Sequence, residues 1–285
     1  MVYLILAIIF STAIVISFRL FTNFKIDNLS AIAINYLFAA IMSFVIYQGD
    51  VSFTAIPFKP WFPYASVIGF TFILVFMVFA LSSQKAGVAV TAVSSKMSVV
   101  IPVSFGILVY AEVINVMKIS GIIASLLAFY LTFKKKGNQR IDKRVLILPV
   151  LLFLGNGAND TLTKHAQKFH VGDETLLFLG TVFLSSMVIG GVILLYKVLR
   201  KQKSIGYRSV IAGAWLGFLN FFSSYFFLLG MGVYDSSVFF PIFNVSIVSL
   251  AALAGFIFFR ERLSLINWTG IVLALFAIVL IAVGS

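Results

Sequence analysis

Cysteine is absent from this chain, and only two histidines, nine acidic residues and six prolines are spread over its 285 positions. Without thiols neither a disulfide nor a thiolate-held zinc can form, and two histidines leave a catalytic metal centre short of ligands. No cofactor or metal is expected. A glycine-rich phosphate loop of the form G-x-x-x-x-G-K-[ST] is also missing, which argues against ATP-driven work by this chain. A basic n-region followed by a small-residue cleavage site is missing at the start, so Met1 to Phe18 reads as a first membrane span and not as a signal peptide.

What is present is overwhelmingly apolar. Hydrophobic residues make up 61% of the chain, charged residues 11%, and the mean hydropathy is +1.11. No water-soluble globule of this size hides so much apolar surface, so an integral membrane protein is expected. A bilayer core of about 30 Å needs roughly 20 helical residues to cross it. Ten segments qualify: 2–18, 29–47, 61–82, 88–110, 114–133, 145–168, 174–199, 208–230, 236–259 and 264–283. In lipid each backbone N–H and C=O must be satisfied within its own segment, and the apolar runs lack the strict alternation of a barrel strand. The expected fold is therefore all-α, with ten transmembrane helices.

A faint internal repeat organises these spans. Gly106, Glu112, Gly121, Ile122, Leu126, Ala128 and Leu131 recur 149 positions later as Gly255, Glu261, Gly270, Ile271, Leu275, Ala277 and Leu280. A glutamate recurring between two apolar runs is the informative member of the set. Ten spans then divide into two five-helix repeats, residues 1–133 and 145–285, joined by a basic linker at 134–144. An odd number of spans per repeat inverts the second copy with respect to the first. Positive charge sets the orientation. Sixteen of the 21 Lys and Arg residues fall in loops after odd-numbered spans, among them Arg19, Lys85, Lys197 and Arg260, whereas loops after even-numbered spans hold only Lys59, Lys118, Lys164 and Lys168. The odd loops are read as cytoplasmic, with both termini outside. The net charge of +12 is then matched to lipid headgroups, not to nucleic acid.

The arrangement Gly106…Tyr110-Ala111-Glu112…Gly121, repeated as Gly255…Arg260-Glu261-Arg262…Gly270, resembles the drug/metabolite transporter superfamily, and most closely its ten-span EamA-type branch. A basic residue ending the first span of each half, Arg19 and Lys164, fits the same pattern. The resemblance implies an inverted-repeat carrier in a bacterial cytoplasmic membrane, with a cavity lined by spans one, three, four, six, eight and nine. Inverted repeats around a midplane site are a recurrent solution for alternating access. One feature departs from the related small multidrug transporters, which place a proton-coupling carboxylate eight residues before that basic residue. Here Ser11 and Asn156 stand at the spacing.

Several polar residues inside the spans are candidate substrate contacts. Lys96 lies within about three residues of the centre of its span, roughly 5 Å by helix rise. A charge at that depth must face a cavity or a partner, not lipid. Thr91, Ser94, Ser95 and Ser98 share its surroundings. Asp160 is the carboxylate well inside a span, in the cluster Asn156, Asn159, Asp160, Thr163 and Lys164. Two readings of it stand side by side: an ion pair with Lys164 at i+4, or a counter-ion for Lys96. The repeat register sets Lys96 against Asn244 and Val245. Asn220 and Tyr225 complete the candidate cavity set, while Asn35 reads as helix-to-helix glue. Pro102 and Pro241 are expected to interrupt spans four and nine and are candidate hinges. Gly213 and Gly217 read as a packing pair. Glu112 and Glu261 read as structural groups at span ends, pairing with Lys118, Arg260 or Arg262.

The function expected from all this is secondary transport, most simply export, of small amphipathic metabolites such as amino acids; the amino-acid element comes from the resemblance. The partners are a small-molecule substrate, membrane lipids and a second copy of the chain as a homodimer, with no nucleic acid. A non-transporting scaffold or a membrane-embedded enzyme is the alternative. For an enzyme the available groups are the dispersed His165, His170 and Asp173.

Overall fold

The computed structural model of the protein describes residues 1–24, 26–49, 52–85, 95–133, 147–200, 206–259 and 264–284. Those residues form α1 (Val2–Asn23), α2 (Asn28–Ile46), a 3₁₀ turn (Ile56–Phe58), α3 (Phe62–Lys85), α4 (Val100–Tyr110), α5 (Val116–Phe133), α6 (Ile147–Ala166), a π-helical turn (Gln167–Val171), α7 (Thr175–Leu199), α8 (Tyr207–Val233), α9 (Ser236–Phe259) and α10 (Leu265–Val283). No strand occurs among the described residues. Five helices are long and apolar enough to cross a membrane, namely α2, α3, α7, α8 and α9, while α1, the segment 95–110, α5 and α10 hold shorter apolar stretches.

The chain divides into two compact units. The first comprises Met1–Ile73 and His165–Gly232, the second Leu74–Lys164 and Val233–Ser285. The chain passes from one to the other within α3, at the end of α6 and at the end of α8.

In the first unit α2 packs along α7. Phe44, near the end of α2, meets Gly180, near the start of α7, while Tyr36 stacks on Phe183, so the two helices run antiparallel. α3 joins them where Ser186 Oγ donates to the Gly69 carbonyl at 3.0 Å. α8 lies against α2 through the anticipated glycine pair: a Cβ on Gly213 would stand 2.7 Å from the Ala31 carbonyl oxygen, and one on Gly217 2.8 Å from that of Asn35. Between these helices Asn220 Nδ2 donates to Asn35 Oδ1 at 3.1 Å, the glue expected of Asn35. α1 meets α8 through Ser11 and Ser223, whose hydroxyls lie 2.6 Å apart, through Trp215 Nε1 donating to Ser17 Oγ, and through Phe10 stacked against Phe222 and Phe226.

In the second unit α5 packs along α10, and α9 touches α4, α5 and α10. Asn115, just before α5, donates to the Gly284 carbonyl just after α10, while Asn267 at the start of α10 donates to the Leu131 carbonyl near the end of α5. Those two bonds define an antiparallel pair. Gly121 permits its close approach, since a Cβ there would fall 3.2 Å from the Ala277 carbonyl oxygen.

The two prolines behave differently. The segment before α4 has a helical turn at 95–97, a break at Ser98 and Val99, and helix again from Val100. Pro102 has no N–H for the Ser98 carbonyl, which accepts instead from the Ile101 amide at 2.9 Å, a tighter three-residue closure. The Ser98 hydroxyl turns back to the Ser95 carbonyl at 2.7 Å. Pro241, by contrast, sits inside α9, which continues unbroken through it. Its missing bond falls in the second turn of the helix, where one lost donor leaves the helical path intact.

The α2–α8 contact leaves no room for a methyl group. Gly213→Ala and Gly217→Ala should each lower stability by about 1–3 kcal/mol through overpacking. Gly191→Ala, where a Cβ meets nothing within 4 Å, should be neutral or slightly stabilising. Thermal unfolding in detergent measures all three, and equal midpoints for the three variants would contradict the packing account.

Candidate functional site

Within the second unit, five of the polar residues singled out from sequence come together. Lys96 lies on the helical turn before the Ser98–Val99 break and donates from Nζ to Asn244 Oδ1 of α9 at 3.2 Å. Asn244 is held in that orientation because its Nδ2 donates to the Phe240 carbonyl one turn earlier, at 3.0 Å. Across the break, Asn156 of α6 donates to Ser95 Oγ at 3.1 Å and to the Leu152 carbonyl at 3.0 Å. Asp160 follows Asn156 by one helical turn on the same helix face, and its charge and that of Lys96 act on each other. Both side chains keep part of their surface open. Thr91 and Ser94 lie outside the described residues. Asn220 and Tyr225 belong to the first unit, where Asn220 is engaged with Asn35 and Ser224 and Tyr225 stacks on Phe221.

The ion pair read from Asp160 and Lys164 takes another form. Lys164 is buried and donates to the Tyr234 carbonyl at 2.8 Å, and the charge acting on Asp160 is that of Lys96. Tyr234 opens a short connection between α8 and α9 that gathers further charged groups. Lys118 lies 3.5 Å from Asp235 and donates to the Val113 carbonyl. Glu112 accepts from the Ser236 and Ser237 amides at 2.9 Å each. The partner expected of Glu112 was a basic residue, Lys118, Arg260 or Arg262. A helix N-terminus takes that place, because two free amides at the positive end of α9 match a carboxylate in both geometry and sign. The N-cap string Asp235-Ser236-Ser237 was the available signal.

The first half of the repeated motif now has a physical reading. Ala111 adopts a left-handed conformation (φ 52°), and the Glu112 amide closes back onto the Gly106 carbonyl. That turn folds the Glu112 carboxylate over α4, where a Cβ on Gly106 would stand 2.6 Å from Oε1. The glycine gives the carboxylate its seat, and the carboxylate caps α9. Glu261, in the second copy, lies outside the described residues.

Residues 144–283 match the EamA-like transporter family. The chain carries an EamA-like transporter domain. This agrees with the resemblance of the motif pair to the drug/metabolite transporters, and together with the apolar helices it indicates an integral membrane protein whose second half carries a transporter-family domain. A Haemophilus influenzae protein described as uncharacterized is 25% identical, with 96% of this chain and 95% of the relative covered. A solved crystal structure, described only as that of a protein, superposes with a TM-score of 0.77 at 12% identity. The superposition covers 99% of this chain and 96% of the other, a likeness of fold.

Two further features lie outside the polar set around Lys96. In the second unit an apolar cavity of about 210 Å³ is lined by Val99, Val103, Ile107, Ile122 and Leu126 and reaches Pro241. With almost no polar lining it offers hydrocarbon contact only. In the first unit Glu174, just before α7, pairs with Lys59 and accepts from Trp61 Nε1 at 2.6 Å. Burial opposes its ionisation, but the Lys59 and Trp61 bonds outweigh it and hold the carboxyl below its ordinary range. His165 and His170 are half-buried here, both rings packed against Tyr64.

The Glu112 seat makes a pH-dependent prediction. Burial alone would push this carboxyl up, but the Ser237 and Ser236 hydrogen bonds hold it below the usual carboxylate range. With the folded value depressed, its stabilisation is present above the unfolded-state pKa of about 4.3 and is lost as pH falls through the folded value. Glu112→Ala should cost about 1–2 kcal/mol at neutral pH and Glu112→Gln less, since the amide keeps one acceptor. Unfolding midpoints between pH 7 and pH 3 should converge for wild type and Glu112→Gln. A constant gap across that range would remove the carboxylate from the cap.

Proposed function

We propose that the protein is a secondary carrier that exports small amphipathic metabolites such as amino acids by alternating access around a midplane cavity. In this reading ten spans form two inverted five-helix repeats, 1–133 and 145–285, joined by the basic linker 134–144 on the cytoplasmic side of a bacterial cytoplasmic membrane. Both termini lie outside. The repeat is supported by how equivalent helices meet: α2 with α7, α4 with α9 and α5 with α10 are each repeat partners, and each pair is in contact. The partners in the first and last of these pairs run antiparallel, as inversion requires.

One observation carries the transport reading. Lys96 sits at a broken helix deep in an apolar span, its direct partner among the described residues is the neutral amide of Asn244, and part of its surface is open. A purely structural lysine at such depth is expected to be paired with a carboxylate or a backbone carbonyl, as Lys164 is with that of Tyr234. A lysine held by an amide oxygen is poised to exchange that oxygen for a ligand carboxylate, a stronger charge-assisted partner. Ser95, Asn156 and Asn244 supply neutral polar contacts around it, and Thr91, Asn220 and Tyr225 remain candidate cavity residues. Pro102 is the better placed of the two candidate hinges, since the helix breaks one turn before it, whereas α9 runs unbroken through Pro241.

The match to an EamA-like transporter domain favours transport over the enzyme alternative; a scaffold would show no flux. Reconstitution in liposomes with labelled amino-acid mixtures tests this directly. Lys96→Met should weaken binding of a carboxylate-bearing substrate by about 10- to 100-fold, the loss of one charge-assisted hydrogen bond, while leaving the unfolding midpoint near that of wild type. Wild-type flux through Lys96→Met would make Lys96 structural, and no flux through folded wild-type protein would sink the carrier reading.

A further inference from the structure

We infer that Lys96 and Asp160 act together as a zwitterion site: Lys96 takes the carboxylate of the substrate, and Asp160 takes its ammonium group. The inference rests on the carrier reading above and deepens it, because it states which charges a substrate must carry.

The two groups reach the site from different elements, Lys96 from the turn before α4 and Asp160 from α6, and each feels the charge of the other. Asn156 ties those elements together through Ser95. The side chains therefore present one positive and one negative charge from opposing supports, both with surface open to a ligand. Lys96 is held by the Asn244 oxygen, and Lys164, the next charge along the face of α6, is directed to the Tyr234 carbonyl.

Charge balance then discriminates among ligands. In a desolvated site an uncompensated charge is strongly disfavoured, and the empty site is already neutral overall. A lone anion on Lys96 leaves the Asp160 charge without an opposite. A lone cation on Asp160 does the same to Lys96. A ligand with both charges a few ångströms apart satisfies each group and keeps the sum at zero. Asn156 assists, since its NH₂ is directed to Ser95 and Leu152 and its carbonyl oxygen is an acceptor suited to an ammonium beside Asp160. An α-amino acid meets the requirement, whereas its N-acyl or amide derivative meets half of it.

The test uses the purified full chain and a panel of the common amino acids, each beside its N-acetyl derivative, which keeps only the anion, and its amide, which keeps only the cation. Binding is read as a thermal shift, with counterflow in liposomes as the second readout. In wild type at least one amino acid should shift the midpoint and exceed both of its derivatives by at least about tenfold in affinity. Asp160→Asn should reverse that order toward the N-acetyl form. Because the wild-type comparison stands alone, a variant that fails to fold does not weaken the test. If an N-acetyl derivative binds wild type as tightly as its parent, the zwitterion assignment is overturned while the carrier reading survives. If no member of the panel binds or exchanges, both the assignment and the amino-acid reading are overturned.

Discussion

A chain inside hydrocarbon has no water to bond to, so each polar group within a span must find its partner in the protein. This constraint accounts for many of the side-chain hydrogen bonds among the described residues. Thr12, Ser43, Thr181 and Ser186 each donate to the carbonyl four residues earlier on their own helices. Hydroxyls can be satisfied in this way without any neighbour. Amides and charges cannot, and they mark where helices are tied together: Asn35 with Asn220, Asn115 and Asn267 at the two ends of α5 and α10, Lys164 with Tyr234. Against that background Lys96 stands out, because its direct partner is a neutral amide and it keeps an open surface.

The glutamate of the repeat illustrates how a weak sequence signal can hold a specific mechanical meaning. Gly106 removes a side chain, Ala111 turns the chain through a left-handed residue, and Glu112 reaches the amides that open α9. Each element of the motif answers to one of these steps, and none of them requires chemistry on a substrate. The lysine has no such twin in the second copy. The first copy of the motif thus serves the scaffold, and the departure from the repeat at Lys96 and Asn244 marks the proposed binding site.

The positions of the helices were legible because a 20-residue apolar requirement leaves little freedom. α2, α7, α9 and α10 begin and end within two residues of the segments read from composition. α1 was underestimated, ending at Asn23, since a polar residue near a span end does not stop a helix. The packing of Gly213 and Gly217 was legible from spacing alone. Partners were less so. Glu112 and Lys118 looked like a pair by proximity in sequence, as did Asp160 and Lys164. In both cases backbone groups at or just before the start of the distant α9 compete successfully, which no local spacing encodes.

The sequence by itself determined the class of the molecule: an all-helical membrane protein, with a repeated Gly-Glu-Gly signal and a lysine stranded among apolar residues. Hydropathy and span length are properties of contiguous segments, so they can be read in order along the chain. Only the tertiary structure decided that each compact unit draws helices from both halves of the chain, that Glu112 caps α9, and that Lys96, Asn244, Asn156 and Asp160 come together. These are contacts between residues as many as 148 positions apart. They depend on which helix faces meet, and that is set by the close approach of glycines and the capping of helix ends, not by the composition of any one span.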